Sequence, residues 1–335
     1  MRFRNRSPTP EPASRMTVQS LGPLPVSGAD AHSHPTMPRS PDAIEDVVAT
    51  QQAALRELYH RHLRHGSRYA LIDFPDHANV GDSAIWLGEL AMLRQVTGRD
   101  PEHVATWHDF DATTFATVHP DTMVLLHGGG NLGDIWPHHQ RLRETILTDI
   151  CDRPVVQLPQ SIHFRDAGSA RRFADIAAAH PDFTLYVRDR PSAVIAAELL
   201  GCHATIAPDS AFALGRQIRE PASVPLLGLM RTDAERRAHA GPLPQDAEIV
   251  DWLQDDPGLP AGSTPSDRER QARHRVARGL RLLSRGEQVV TDRLHGHILA
   301  LLLDIPHRVL DNDYGKVGAY VAAWTAASPL VQMAA

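Results

Sequence analysis

Short apolar runs alternate with longer stretches of helical period through most of the chain. The runs fall at residues 69–74, 122–126, 154–158, 183–187 and 203–207, and resume at 226–230, 248–252, 288–291 and 307–310. Between them, apolar positions three and four residues apart predict helices over 83–96, 170–179, a stretch ending at Leu200, an arginine-rich amphipathic segment over 267–283 and an apolar one over 298–303. A further helix is expected from Ile44, Val47, Val48, Leu55, Leu58 and Leu63, starting behind Ser40-Pro41-Asp42. Strands alternating with helices of this length make βαβ units and a parallel sheet. Apolar density drops over 215–225, so the expectation is α/β with two Rossmann-like lobes facing across a cleft, 41–215 and 222–335. Residues 1–40 are rich in proline, serine and arginine without a hydrophobic period; they predict a disordered tail that is not a secretory signal.

Composition narrows the class. The 335 residues carry a formal charge of -6, which removes the basic footprint of a general nucleic-acid binder. Two cysteines, Cys151 and Cys202, support neither a disulfide scaffold nor a four-cysteine zinc site. No apolar run is long enough to span a bilayer, so a cytoplasmic protein is expected, with at most peripheral membrane contact through 267–283. Lys316 is the single lysine against a large excess of arginine, a bias that GC-rich coding explains except for Lys316 itself.

Ligands of open parallel sheets collect beyond the carboxyl ends of the strands, so the post-strand segments hold the candidate chemistry. Asn79-Val-Gly81-Asp82-Ser83 precedes a helix and suits an anion at a helix start, or a plain turn capped by Asp82 or Ser83. Gly128-Gly129-Gly130-Asn131, followed by Asp134, lets backbone approach a ligand closely; it is neither a Walker loop nor a dinucleotide fingerprint. Pro159-Gln160-Ser161 is a possible donor or a turn. Arg188, at the end of a strand, is placed to fork a carboxylate or phosphate or to form a salt bridge. Arg293-Leu294-His295 joins a fixed cation to a group that titrates near neutrality, as proton transfer on an anionic substrate requires. His295 and His297 alone make a weak metal pair, so no metal or cofactor is expected.

Together with Leu158-Pro-Gln-Ser161, Val187-Arg188-Asp189, Ala207-Pro-Asp209, the segment from Leu229 through Arg231 to Glu235, and Asp311 to Lys316, these stretches occur in order over residues 69–318 and resemble the polysaccharide pyruvyl transferases. The resemblance implies a glycosyltransferase-B-like fold. It also implies transfer of pyruvyl from phosphoenolpyruvate, a substrate and not a cofactor, to sugar hydroxyls of an exopolysaccharide or its lipid-linked precursor, usually as a ketal. Arg293, Leu294 and His295 then match the family's Arg-Leu-His motif, Arg188 its strand-end arginine and Asp82 its early acidic residue. His295 is expected as general acid, Asp82 as base or cation stabiliser, and Asn79, Gly81, the 128–131 segment, Asp134, Ser161, Arg231 and Lys316 as binding residues. Rival expectations are a nucleotide-sugar glycosyltransferase, with Glu287 as its nearest ribose-binding acid, and a non-catalytic subunit of a polysaccharide assembly.

Overall fold

The computed structural model describes residues 46–232, 247–311 and 315–333, without the side chain of Lys316. Residues Ile44–Ala335 belong to one compact unit. The tail, the Ser40-Pro41-Asp42 helix start, Asp233, Glu235 and residues 312–314 lie outside the described residues. The elements run α1 (Val47–His62), β1 (Tyr69–Ile72), α2 (Val80–Thr97), β2 (His103–Ala105), α3 (Ala112–Val118), β3 (Met123–Leu126), β4 (Gly129–Gly133), α4 (Pro137–Asp149), β5 (Val155–His163), α5 (Ala167–Ala179), β6 (Phe183–Val187), α6 (Arg190–Glu198) and β7 (Ala204–Ile206). A 3-10 turn, Ser210–Leu214, leads to β8 (Val224–Leu229), β9 (Glu248–Val250), α7 (Pro265–Ser284), β10 (Gly286–Thr291), α8 (Leu294–Leu302), β11 (His307–Val309), α9 (Lys316–Tyr320) and β12 (Val331–Met333).

The strands form two sheets, ordered β2-β1-β3-β5-β6-β7 with β4 also on β5, and β12-β11-β10-β8-β9. Every described pairing is parallel, as crossover helices require. From β1 the chain moves outward to β2 and then returns to β3 on the other side; from β8 it does the same with β9 and β10. Each reversal opens a crevice beyond the carboxyl ends of the strands.

Helix α2 is buried on nearly every side and belongs to a core that also takes in Leu227, Leu229 and Val289 of the second sheet. Asn79 caps it, accepting the Gly81 N–H at 3.3 Å, so the helix starts earlier than its apolar period suggests and Asp82 sits in its first turn. Gly88 lets the Ser210–Leu214 turn press against it; a Cβ there would lie 1.9 Å from the Ser210 carbonyl.

Helix α7 joins the sheets through its arginines. Buried Arg275 forks Asp255 at 3.0 Å and donates to the Pro75 carbonyl at 3.1 Å, just past β1. Arg278 donates to Asp255, to the Ala78 carbonyl and to that of Trp252; Arg268 reaches the Val104 carbonyl and Asp109. The helix is amphipathic, as its period predicts: of its arginines, only Arg270, Arg273 and Arg281 have mostly exposed side chains.

One local expectation is revised and one segment gains definition. Pro159, Gln160 and Ser161 lie inside β5, because the side chains of Gln160 and Ser161 find buried hydrogen-bond partners there. The glycine-rich segment past β3 forms a strand of its own, β4, which pairs with β5 across a register shift. Helix α1 begins at Val47, and Asp46 caps it by accepting from Val48 and Ala49.

Removing one partner of a buried, multiply bonded ion pair strands the other. Arg275→Ala should lower unfolding free energy by about 3 kcal/mol, against about 0.5 kcal/mol or less for exposed Arg281→Ala. Urea denaturation measures both; equal losses would remove α7's arginines from this role.

Candidate active site

The carboxyl ends of strands from both sheets open onto one cavity of about 350 Å³. The segment after β1 contributes His77, Asn79 and Asp82; that after β3, Gly130 and Asn131; and that after β6, Arg188. From the second sheet come Arg231 after β8, Trp252 and Leu253 after β9, and Arg293, Leu294 and His295 after β10. Trp136, His139 and Val317 complete the wall. Thus Asn79, Asp82, Gly130, Asn131, Arg188, Arg231, Arg293, Leu294 and His295 come together as expected residues of one site. Gly81, Gly128, Gly129, Asp134 and Ser161 do not line it.

Those five have visible positions behind or beside the wall. Gly81 is where the His295 imidazole packs on α2: a Cβ there would sit 2.3 Å from His295 Nδ1. The Gly128 N–H donates to buried Glu89 at 2.8 Å, and Gly129 has a φ of 124°. Ser161 donates to Asp189 at 2.5 Å and accepts from Arg188 Nε at 2.9 Å. Asp134 accepts the backbone N–H groups of Arg165 and Asp166, holding the turn before α5.

The centre of the site is a carboxylate. Asp209, 1% exposed, accepts from Arg188 Nη1 at 2.7 Å and lies 3.2 Å from His295 Nε2. Its other oxygen accepts the Ala211 N–H at 2.9 Å. Burial alone would raise this carboxyl, but the adjacent His295 and Arg188 charges hold it well below the usual carboxylate range. The residue stands in the Ala207-Pro-Asp209 stretch, yet nothing in its spacing marks it as the partner of a histidine 86 positions away.

Three further groups shape the wall. Arg293, at the N-cap of α8, pairs with Asp251 at 2.7 Å, and Asp251 also accepts from Thr232. The Asn79 side-chain oxygen Oδ1 accepts from Trp252 Nε1 at 3.1 Å, linking the first crevice to the second. Asp73, just beyond β1, has a φ of 77°, a costly conformation for a residue with a Cβ. It faces His139 Nδ1 at 2.7 Å and Asn131 Nδ2 at 3.2 Å. Burial would raise the Asp73 carboxyl, but His139 and Arg143 keep it low. Burial also pulls the Arg143 guanidinium down to about 10 while it donates to Asn131 and Gln157.

Asp82 accepts from Asn79 Nδ2 at 2.8 Å and lies 3.6 Å from His77 Nε2. Burial would raise it, while the charges of His77 and His295 bring it below its ordinary value. His297 faces away from the cavity: it bonds His307 at 2.7 Å and Thr325 at 2.9 Å, and burial drives it well down. His295 and His297 therefore serve different surroundings. Among the described residues no group of three metal-binding side chains occurs. Nor, among them, is any helix long and apolar enough to cross a membrane.

A sequence model of polysaccharide pyruvyl transferases matches residues 79–314, the span that supplies nearly all of this wall. The chain belongs to the polysaccharide pyruvyl transferase family. It is 32% identical to pyruvyl transferase 1 of Schizosaccharomyces pombe over 86% of its own length and 77% of that protein's. It is 30% identical to EpsO of Bacillus subtilis, whose name marks a provisional pyruvyl transferase, over 78% of this chain and 86% of that one. A crystal structure of a functionally uncharacterized Klebsiella pneumoniae protein shares the fold, with a TM-score of 0.59 at 18% identity, covering 85% of this chain and 98% of the other. The protein is thus an enzyme, a polysaccharide pyruvyl transferase, and its acceptor class is polysaccharide.

Two expectations follow for this transferase. Gly81→Ala should push the His295 ring off α2 and lower kcat by about 10²-fold while thermal unfolding shows a folded protein; unchanged turnover would dissociate Gly81 from His295. Because the Asp209 carboxyl is depressed in the folded state, its ionisation stabilises the fold above about pH 4 and that contribution fades as pH falls through the native value. Asp209→Asn should therefore flatten the acid limb of stability against pH, measured by denaturation from pH 7 down to about pH 2. An acid limb as steep as the wild type's would place the proton uptake elsewhere.

Proposed function

We propose that this enzyme moves the pyruvyl group of phosphoenolpyruvate onto the sugar hydroxyls of an exopolysaccharide or its lipid-linked precursor, forming a cyclic ketal. The observation that carries the reading is the charge of the cavity wall. Arg188, Arg231 and Arg293 line it with His77, His139 and His295, while Asp82 is the one carboxylate among the described lining residues. Such a wall suits a small, strongly anionic donor, with arginine forks for its carboxylate and phosphate. We read the two sheets as two lobes, divided at about residues 215–222, in a glycosyltransferase-B-like arrangement.

In this reaction His295 delivers a proton to the methylene carbon, turning it into a methyl group and leaving an oxocarbenium-like centre at C2. The ionised Asp209 supplies the counter-charge that an imidazolium needs beside it. A sugar hydroxyl forms a bond to C2, and its proton passes to Asp82, whose negative charge also faces the developing cation. The bond from C2 to the phosphate oxygen breaks with its electron pair on phosphate. A second hydroxyl then closes the ketal, and its proton passes to His295, restoring the proton spent on the methylene carbon. Arg188 and Arg293 hold the donor; Gly130, Asn131 and Asn79 shape its seat, with Gly81, Gly128, Gly129 and Ser161 setting the wall from behind. Lys316 keeps the binding role that the resemblance implies, whereas Asp134 serves to hold the turn before α5, and no cofactor takes part.

The nucleotide-sugar alternative loses its anchor, since Glu287 is exposed on β10 and does not line the cavity. His295→Gln should lower kcat by about 10²-fold or more with donor affinity nearly intact, whereas Arg293→Lys should weaken donor binding by losing the planar fork. Phosphate release under varied phosphoenolpyruvate separates the two effects. Near-wild-type turnover in folded His295→Gln would remove it as proton donor.

A further inference from the structure

A polysaccharide acceptor is longer than the site that modifies it. A cavity of about 350 Å³ has room for the donor and little more than the reacting sugar, so the remaining sugars must cross its rim. Two exposed tryptophans are candidates to meet them, one on the wall and one on the turn after β2. Trp136 lines the cavity and is 43% exposed, and Trp107 is 40% exposed.

Trp107 is connected on two sides to the sequence neighbours of wall residues. Its indole stacks on His138, with centroids 4.3 Å apart and planes 22° from parallel, and His138 directly precedes His139 of the wall. His108 meets the indole edge-on at 4.8 Å and lies 3.8 Å from Asp76, the residue before His77 of the wall. The turn that carries Trp107 is rigidly held. Asp109 accepts from both the N–H and the hydroxyl of Thr106, at 2.7 and 2.8 Å, and is itself bound by Arg268 of α7. An indole left in water on a pinned turn keeps an apolar face ready at little ordering cost. The C–H face of a pyranose is flat and apolar, while its hydroxyls radiate at the edge. It therefore packs on an indole and leaves the hydroxyls to water and to neighbouring imidazoles.

From this geometry we propose that Trp107 and Trp136 form a stacking platform for the acceptor sugars next to the one that receives pyruvate. The proposal rests on the reaction assigned above. Trp136 receives the first sugar outside the cavity, and Trp107, backed by His138, receives the next. The platform thereby makes the enzyme prefer oligosaccharides over single sugars.

The test uses oligosaccharides of one to four residues, prepared by partial acid hydrolysis of the polysaccharide made by the cells that encode this enzyme. KM should fall as the acceptor lengthens from one to three residues. Trp107→Ala should raise KM for the longest by about tenfold, with an effect that shrinks as sugars are removed, and Trp107→Phe should restore most of the loss. A wild-type KM that ignores length, or a Trp107→Ala effect equal at every length, would overturn the platform. Titrating the same oligosaccharides while following tryptophan emission requires no turnover. Affinity that rises with length there, without phosphate release, would fault the assigned reaction and leave the platform standing. Affinity independent of length would fault the platform even with the reaction intact.

Discussion

A buried carboxylate between an arginine and a histidine holds the site together. Asp209 takes a hydrogen bond from Arg188, which ends β6 of the first sheet, and faces His295, which follows β10 of the second. Such a charge is tolerated away from water only when nearly every lone pair is answered, and the Ala211 N–H completes the set. The positions of the neighbouring groups depend on it. Arg188 is fixed further by Ser161, His295 by the bare backbone of Gly81, and Ser161 by Asp189 at the start of α6. The Tyr320 hydroxyl accepts the Asp209 N–H and donates to Gln51 of α1, so even the helix that opens the described chain helps to fix the backbone that carries this carboxylate.

The excess of arginine over lysine acquires a structural meaning in the interior. Arg143, Arg268 and Arg275 are all buried: Arg143 spreads its N–H groups over the side-chain amide oxygens of Asn131 and Gln157, and Arg268 and Arg275 each bond a backbone carbonyl and a carboxylate at once. A lysine offers a single point charge and sheds its proton readily when desolvated, so it would serve poorly there. Whatever coding bias lies behind the composition, α7 uses it to fasten the second sheet beside the end of β1. Asp76, His77, Ala78 and Asn79 follow there, and the Ala78 carbonyl takes its hydrogen bond directly from Arg278.

Much of this was legible in the residue pattern because parallel strands, buried on both faces, appear as continuous apolar runs. The five runs of the first half correspond to β1, β3, β5, β6 and β7, and the post-strand rule led to Asp82, Arg188, Arg293 and His295. What escaped has identifiable causes. Strands β2, β4 and β12 are short, glycine-rich or at an edge, so their pairing depends on neighbours and not on local composition. Helix α4 carries two histidines and two arginines in its first half, which hides its period, and His139 was missed with it. Asp73, Asp209 and Asp251 act through partners 66, 86 and 42 positions away, and no local spacing shows such pairings. Ser161 and Gly81 were recognised as special, but their place is behind the reacting groups and not at the wall.

The central claim is that a proton enters the methylene carbon of the donor at the site organised by His295 and Asp209. Running the reaction in deuterium oxide tests it directly, because the transferred group records the event. Proton NMR and mass spectrometry of the isolated product should show a methyl group carrying one deuterium, with inorganic phosphate released in equal amount. A product that keeps its vinyl protons, an enolpyruvyl ether formed without protonation of that carbon, would contradict the account.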